Sequence, residues 1–145
     1  MFVRAARATL VALAILPLGS GLATGAPAGA VEITLDANFV TGAEVFTASG
    51  AFCDSGTATT DELRIVGGGS GLSFHVVKTL TCEDGSGSLT IDVDAATHAW
   101  APGDQGGWAV RSGSGEWSSA AGGGRIVGMY YGGGVVDEYS GVIRR

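Results

Sequence analysis

Lys78, Asp137 and Tyr139 are the side chains in this 145-residue sequence whose types and spacing suit acid–base work inside a small fold. Lys78 alternates at period two with Phe74, Val76, Leu80 and Cys82, so it shares their apolar face. Asp137 alternates in the same way with Val135, Tyr139 and Ile143. An inward lysine is costly unless paired. The pattern therefore predicts a Lys78–Asp137 ion pair with Tyr139 beside it. Such a group is either a polar anchor for a ligand or an acid–base pair. The plainer alternative is a rim pair in which Lys78 extends its ammonium to solvent.

Trp100, Trp108 and Trp117 lie near strand ends or turns. They could stack on a sugar or an apolar ligand at a cavity mouth, or plug the core ends. Trp108 and Trp117 join Lys78, Asp137 and Tyr139 as ligand-contact candidates. Tyr130 and Tyr131 are consecutive, so one of them must face outward.

Other chemistries find less support. Asp61-Glu62, Glu83-Asp84, the Asp92 and Asp94 pair, and Asp137-Glu138 lack the further oxygens that a calcium loop supplies. Asp92 and Asp94 should lie on the outer face of their strand. His75 and His98 are the only histidines, and their spacing matches no zinc pattern. No metal and no cofactor is expected. Gly113-Ser114-Gly115 precedes no helix and reads as a turn rather than a nucleophile elbow. The glycine runs lack the Lys-Ser/Thr that follows a phosphate loop.

Cys53 and Cys82 are the only cysteines. In an oxidising compartment they should form a disulfide, worth roughly 3–4 kcal/mol for a loop of about 30 residues. A free or catalytic thiol and metal ligation are the alternatives.

The elements that position these residues are strands. Short runs of alternation broken by glycine-rich turns predict strands over 31–39, 45–52, 57–66, 72–82, 89–99, 107–111, 124–131 and 135–143. Asp84-Gly85-Ser86-Gly87 is a hairpin turn. It predicts Cys82 opposite Leu89 and Lys78 opposite Val93. Eight strands with short links predict an all-β, eight-stranded antiparallel up-and-down barrel of the calycin-like kind, or else a sandwich. Cys53 and Cys82 then fall at one rim, one strand apart, about 10 Å at the strand axes. The bridge needs the segment Asp54-Ser55-Gly56 to let its loop fold inward.

Residues 1–30 read as a signal peptide: Arg4 and Arg7, an apolar run from Ala8 to Leu18, and a small-x-small site at Ala28-Gly29-Ala30. Thr24-Gly25-Ala26 fits the same pattern. Residues 31–145 form the single barrel domain. Pro17, Gly19, Ser20 and Gly21 interrupt the apolar run, which argues against a membrane anchor, and no later segment is apolar enough to span. The full chain has 8 basic and 14 acidic residues, a net of −6. That acidity argues against nucleic acid as a partner. One lysine against seven arginines, with abundant Ala and Gly, fits GC-rich bacterial coding.

Two stretches resemble a known group. Trp108-Ala109-Val110-Arg111-Ser112-Gly113-Ser114-Gly115-Glu116-Trp117, followed by Gly122-Gly123-Gly124, resembles the Gly-Thr-Gly-x-Tyr/Phe turn of barrels related to allene oxide cyclase and dirigent proteins. Ser114 stands in the Thr place and Trp117 in the aromatic place. Lys78 to Thr90 resembles small secreted bacterial members of that group. The resemblance implies an eight-stranded antiparallel barrel. It does not imply cyclase activity, because the polar residues that serve the plant enzymes have no counterparts that can be matched one by one.

The resulting expectation is a secreted, disulfide-stapled, non-catalytic barrel that binds a small apolar ligand in its lumen. The alternatives are an isomerase or cyclase with a lumenal acid–base pair, and an oligomeric cell-surface structural protein.

Overall fold

Each alternating stretch becomes a strand, and the strands close on themselves. The computed structural model describes residues 28–69, 71–98 and 101–145. It contains β1 (Gly29–Asn38), β2 (Glu44–Gly50), β3 (Ser55–Gly68), β4 (Gly71–Cys82), β5 (Gly87–Thr97), β6 (Gly103–Gly115), β7 (Ala121–Tyr131) and β8 (Gly134–Arg144). Every strand pairs antiparallel with its neighbour in sequence, and β1 pairs with β8 from Gly29↔Ile143 to Asn38↔Gly134. The sheet is a closed barrel, which removes the sandwich alternative. No helix occurs among the described residues.

Residues 1–27 of the expected signal peptide, and Trp100, lie outside the described residues. β1 begins at Gly29, inside the expected leader. Cleavage after Ala30 would remove the first two residues of that strand, whereas cleavage after Ala26 would spare it.

Two bulges set which side chains face inward. In β3, Thr60 pairs with Lys78 and Glu62 with Val77, which leaves Asp61 as the extra residue. Ala58 and Thr60 face inward before the bulge, and Leu63 and Ile65 after it. In β6, Ser112 pairs with Thr90 and Val110 with Ile91, so Arg111 is the extra residue.

The structure corrects two sequence readings. β6 spans Gly103–Gly115, far beyond 107–111. Its glycines do not break it, because neighbouring backbone packs where a side chain would be: a β-carbon on Gly106 would collide with Asp94 O of β5. The β4–β5 register also differs by two residues. Leu80 faces Leu89, Lys78 faces Ile91, and Val76 faces Val93. Cys82 leaves the β5 ladder and pairs with Gly56 of β3 instead. The turn is correspondingly wider: Gly85 (φ +77°) donates to Cys82 O, and Asp84 Oδ1 accepts from Ser86 N. A shift of two preserves the parity, so the same residues still face inward.

One end of the barrel is filled. Phe52 leaves the predicted second strand and lies in the loop after β2, buried between Phe46 (5.7 Å, stacked) and Trp117 (4.8 Å, edge-on). Trp117 is 1% exposed, and the Arg145 guanidinium covers it at 4.0 Å. Cys53 follows Phe52 inward and bonds Cys82 with Cα atoms 5.9 Å apart. The inward fold of the 51–54 loop closes the one-strand gap. Ile33, Leu35, Leu80, Leu89, Ile91 and Ile143 fill the interior beneath this plug.

Candidate functional site

The opposite end is hollow. A cavity of about 520 Å³ opens between the late part of β1, β3, β5 and β7 and the early part of β2, β4, β6 and β8. Val76, Val93, Ala95, Ile126 and Val135 form much of its wall. Phe39, Leu63, Ile65 and Leu72 form a collar at its mouth and stand 66%, 59%, 52% and 43% exposed.

Lys78, Asp137 and Tyr139 all line this cavity, but their pairing is not the expected one. Lys78 Nζ bonds Glu44 Oε2 at 2.6 Å and donates to Thr60 Oγ1 at 2.8 Å. The Thr60 hydroxyl also donates to Glu44 Oε1 at 2.7 Å. No ion pair joins Lys78 to Asp137. The reason lies in the seam between β2 and β3, which pair only from Val45↔Thr57 to Thr47↔Ser55. Beyond Val45 the two strands part, and Glu44 reaches across to the strand beyond. The Glu44–Thr60–Lys78 triangle closes the wall where backbone bonds do not.

Asp137 faces a second carboxylate instead. Asp104 of β6, Gly128 of β7 and Asp137 of β8 form one cross-strand row: Asp104↔Gly128 and Gly128↔Asp137. A β-carbon on Gly128 would collide with Oδ1 of both aspartates. The glycine thus leaves the space into which both carboxylates lean. Tyr130 donates to Asp104 Oδ2 at 2.7 Å, and Tyr139 donates to Asp137 Oδ2 at 3.3 Å. Asp104 Oδ1 is buried and has no hydrogen-bond partner among the described residues. Burial, and then the facing Asp104 charge, push Asp137 up to about 6, while Lys78 and the Tyr139 hydroxyl pull the other way. Burial raises both Tyr130 and Tyr139, so each stays protonated and donates.

Trp108 and Trp117 do not line the cavity. Trp117 is the plug at the far end. Trp108 is buried, edge-on to Tyr139 at 6.3 Å, with its Nε1 donating to Ser140 O at 3.3 Å. Its cross-strand partner is Gly124, and its ring packs against Tyr139, one of the cavity-lining residues. The expectation that these two indoles sit at the mouth is therefore corrected.

Tyr130 and Tyr131 divide as their alternation requires. Tyr130 lines the cavity, and Tyr131 donates to Asp36 on the outer wall at 2.7 Å. Asp92 and Asp94 meet His75, whose Nδ1 lies 2.8 Å from Asp94 Oδ1. Neither these nor any other group of three or more His, Cys, Asp or Glu side chains among the described residues is placed to hold a metal ion.

Glu44, Thr60 and Asp104 were not singled out from the sequence. Glu44 lies two residues before inward Phe46, and Asp104 four before inward Trp108, so alternation carried to the true strand ends finds both. Comparison with family models, with curated proteins and with solved structures finds no match.

Proposed function

We propose that this protein is an exported, non-catalytic barrel that holds a small, mostly apolar molecule in its lumen. The observation that carries the reading is the half-open interior. An eight-stranded barrel can fill its lumen with side chains or hold one small ligand, and here the strands do the first at one end and leave about 520 Å³ at the other. That volume falls within the usual range of ligand cavities, roughly 300–1,000 Å³. Export draws support from the leader pattern and from the Cys53–Cys82 disulfide. Cleavage after Ala26 suits export best, because it keeps β1 whole. Kinship with the allene oxide cyclase and dirigent barrels belongs to the same proposal, supported by the Ser114 and Trp117 turn motif. A second reading, an isomerase or cyclase, draws on Asp104 and Asp137 as its acid–base pair rather than on Lys78.

Native mass spectrometry of protein purified from culture supernatant tests the proposal. The expected ion lacks the leader and two cysteine hydrogens, and carries extra mass that denaturation releases. A bare native ion speaks against lumenal cargo. An ion that is a defined oligomer, bare of cargo, turns the reading toward a surface assembly.

A further inference from the structure

The geometry points to a particular ligand class: an apolar molecule bearing a protonated amine, its ammonium seated between Asp104 and Asp137 and its body against Phe74, Ile65 and Leu63. This inference rests on the lumenal-ligand reading and sharpens it. Three observations carry it.

The first is a charge surplus. Glu44, Asp104 and Asp137 line the cavity against a single cation, Lys78. Lys78 is already engaged by Glu44 and Thr60, so no cation is bonded to either aspartate. A carboxylate ligand would add a further negative charge to this end, and an alcohol would leave the surplus in place. Only a cation offsets it.

The second is acceptor geometry. Each aspartate accepts at Oδ2 from a tyrosine hydroxyl, and both Oδ1 atoms pack over Gly128, where a side chain would displace them. An ammonium carries three donors and no acceptor. Two neighbouring carboxylates suit such a group, and Asp104 Oδ1 is a buried acceptor that has no partner. Asp137 is itself 6% exposed, so the acceptor on it is held away from bulk water.

The third is the polarity gradient. Asp137 is buried, whereas Phe39, Leu63, Ile65 and Leu72 form an exposed apolar collar at the mouth of the same cavity. A ligand entering head first leaves its apolar part along the collar, where it covers carbon surface otherwise facing water.

Three probes of matched length separate the possibilities: n-decylamine, n-decanol and n-decanoate. Titration calorimetry uses protein that has been unfolded to release any cargo and refolded with its disulfide intact. At pH 7.5 the amine should bind at least tenfold more tightly than the alcohol, and decanoate most weakly. Asp137 faces Asp104 from β6, Tyr130 from β7, Tyr139 on its own strand, Lys78 from β4 and Glu44 from β2, while β1 presents only Leu35 and Ala37 there. Its protonation on going to pH 5 should therefore weaken the amine severalfold and leave the alcohol unchanged. Asp137→Asn should remove most of the amine preference. Gly128→Ala should do the same by displacing both carboxylates, and serves if the first variant does not fold. Alcohol or decanoate binding as tightly as the amine would overturn the amine assignment while the lumenal reading stands. If none of the three binds, both fall together.

Discussion

The two ends of this barrel are built from the same eight strands and differ in what faces inward. At the disulfide end, Ile33, Leu35, Leu80, Leu89, Ile91 and Ile143 meet under a plug of Phe46, Phe52 and Trp117. At the other end, smaller residues such as Ala37, Ala95 and Gly128 occupy inward positions, and charged groups take several of the rest. Close packing supplies stability at the first end. The second end gives up that contribution and gains a lined, accessible volume. Stability and binding are thus separated along the barrel axis. A change at the plug should register mainly in stability, and a change at the hollow end should register in binding.

Trp117→Ala should break the comparison most severely. It removes a fully buried indole and its contacts with Phe52 and Arg145, so a loss of about 4 kcal/mol is expected, read by denaturant unfolding. Decylamine affinity measured well below the unfolding midpoint should be unchanged. A large affinity loss would show that the plug also shapes the cavity.

Asp137→Asn should act in the opposite sense. Burial pushes the native carboxyl up to about 6, above the ordinary aspartate range near 4, so the folded state holds a proton that the unfolded chain gives up between those values. The stabilisation due to this group is complete below pH 4 and disappears as pH rises through 6. At pH 7 the ionised, buried carboxylate is a net burden. The variant should therefore be more stable than the parent by about 2 kcal/mol at pH 7, and no more stable at pH 3.5. Unfolding at the two pH values checks this.

The smallest expected effect comes from the collar. Ile65→Ser alters a side chain that is 52% exposed, and should cost under about 1 kcal/mol of stability. Its measurable consequence should be weaker binding of decyl chains. Loss of stability as large as that for Trp117→Ala would contradict the division between the two ends.

The sequence made the barrel legible because alternation is a local signal that eight strands repeat. It also made the inward direction of Lys78 and Asp137 legible, since parity survives an error of two in register. The partners were hidden for a different reason. Lys78 meets Glu44 because β2 and β3 diverge after three rows of pairing, a property of two strands at once. Asp104 lies at the start of a strand whose glycines resemble a loop until the neighbouring backbone is seen packed against them. The Asp104–Gly128–Asp137 row requires the registers of two seams together. Trp117 was placed correctly in a turn, whereas Trp108 lies mid-strand in β6, and whether an end is open or plugged depends on Phe52, which the alternation alone puts inside a strand.

The seam between β1 and β8 has a consequence for the order in which the barrel assembles. It joins the first strand to the last over ten rows, from Gly29↔Ile143 to Asn38↔Gly134. Until β8 is available, β1 has nothing on that side to pair with, and the first seven strands can form at most an open sheet with two bare edges. No truncated product can close the ring. The last eleven residues of the sheet, Gly134–Arg144, therefore act as its completion signal, and they bring Asp137 with them. The cavity and its acid pair come into being in the same step that finishes the fold.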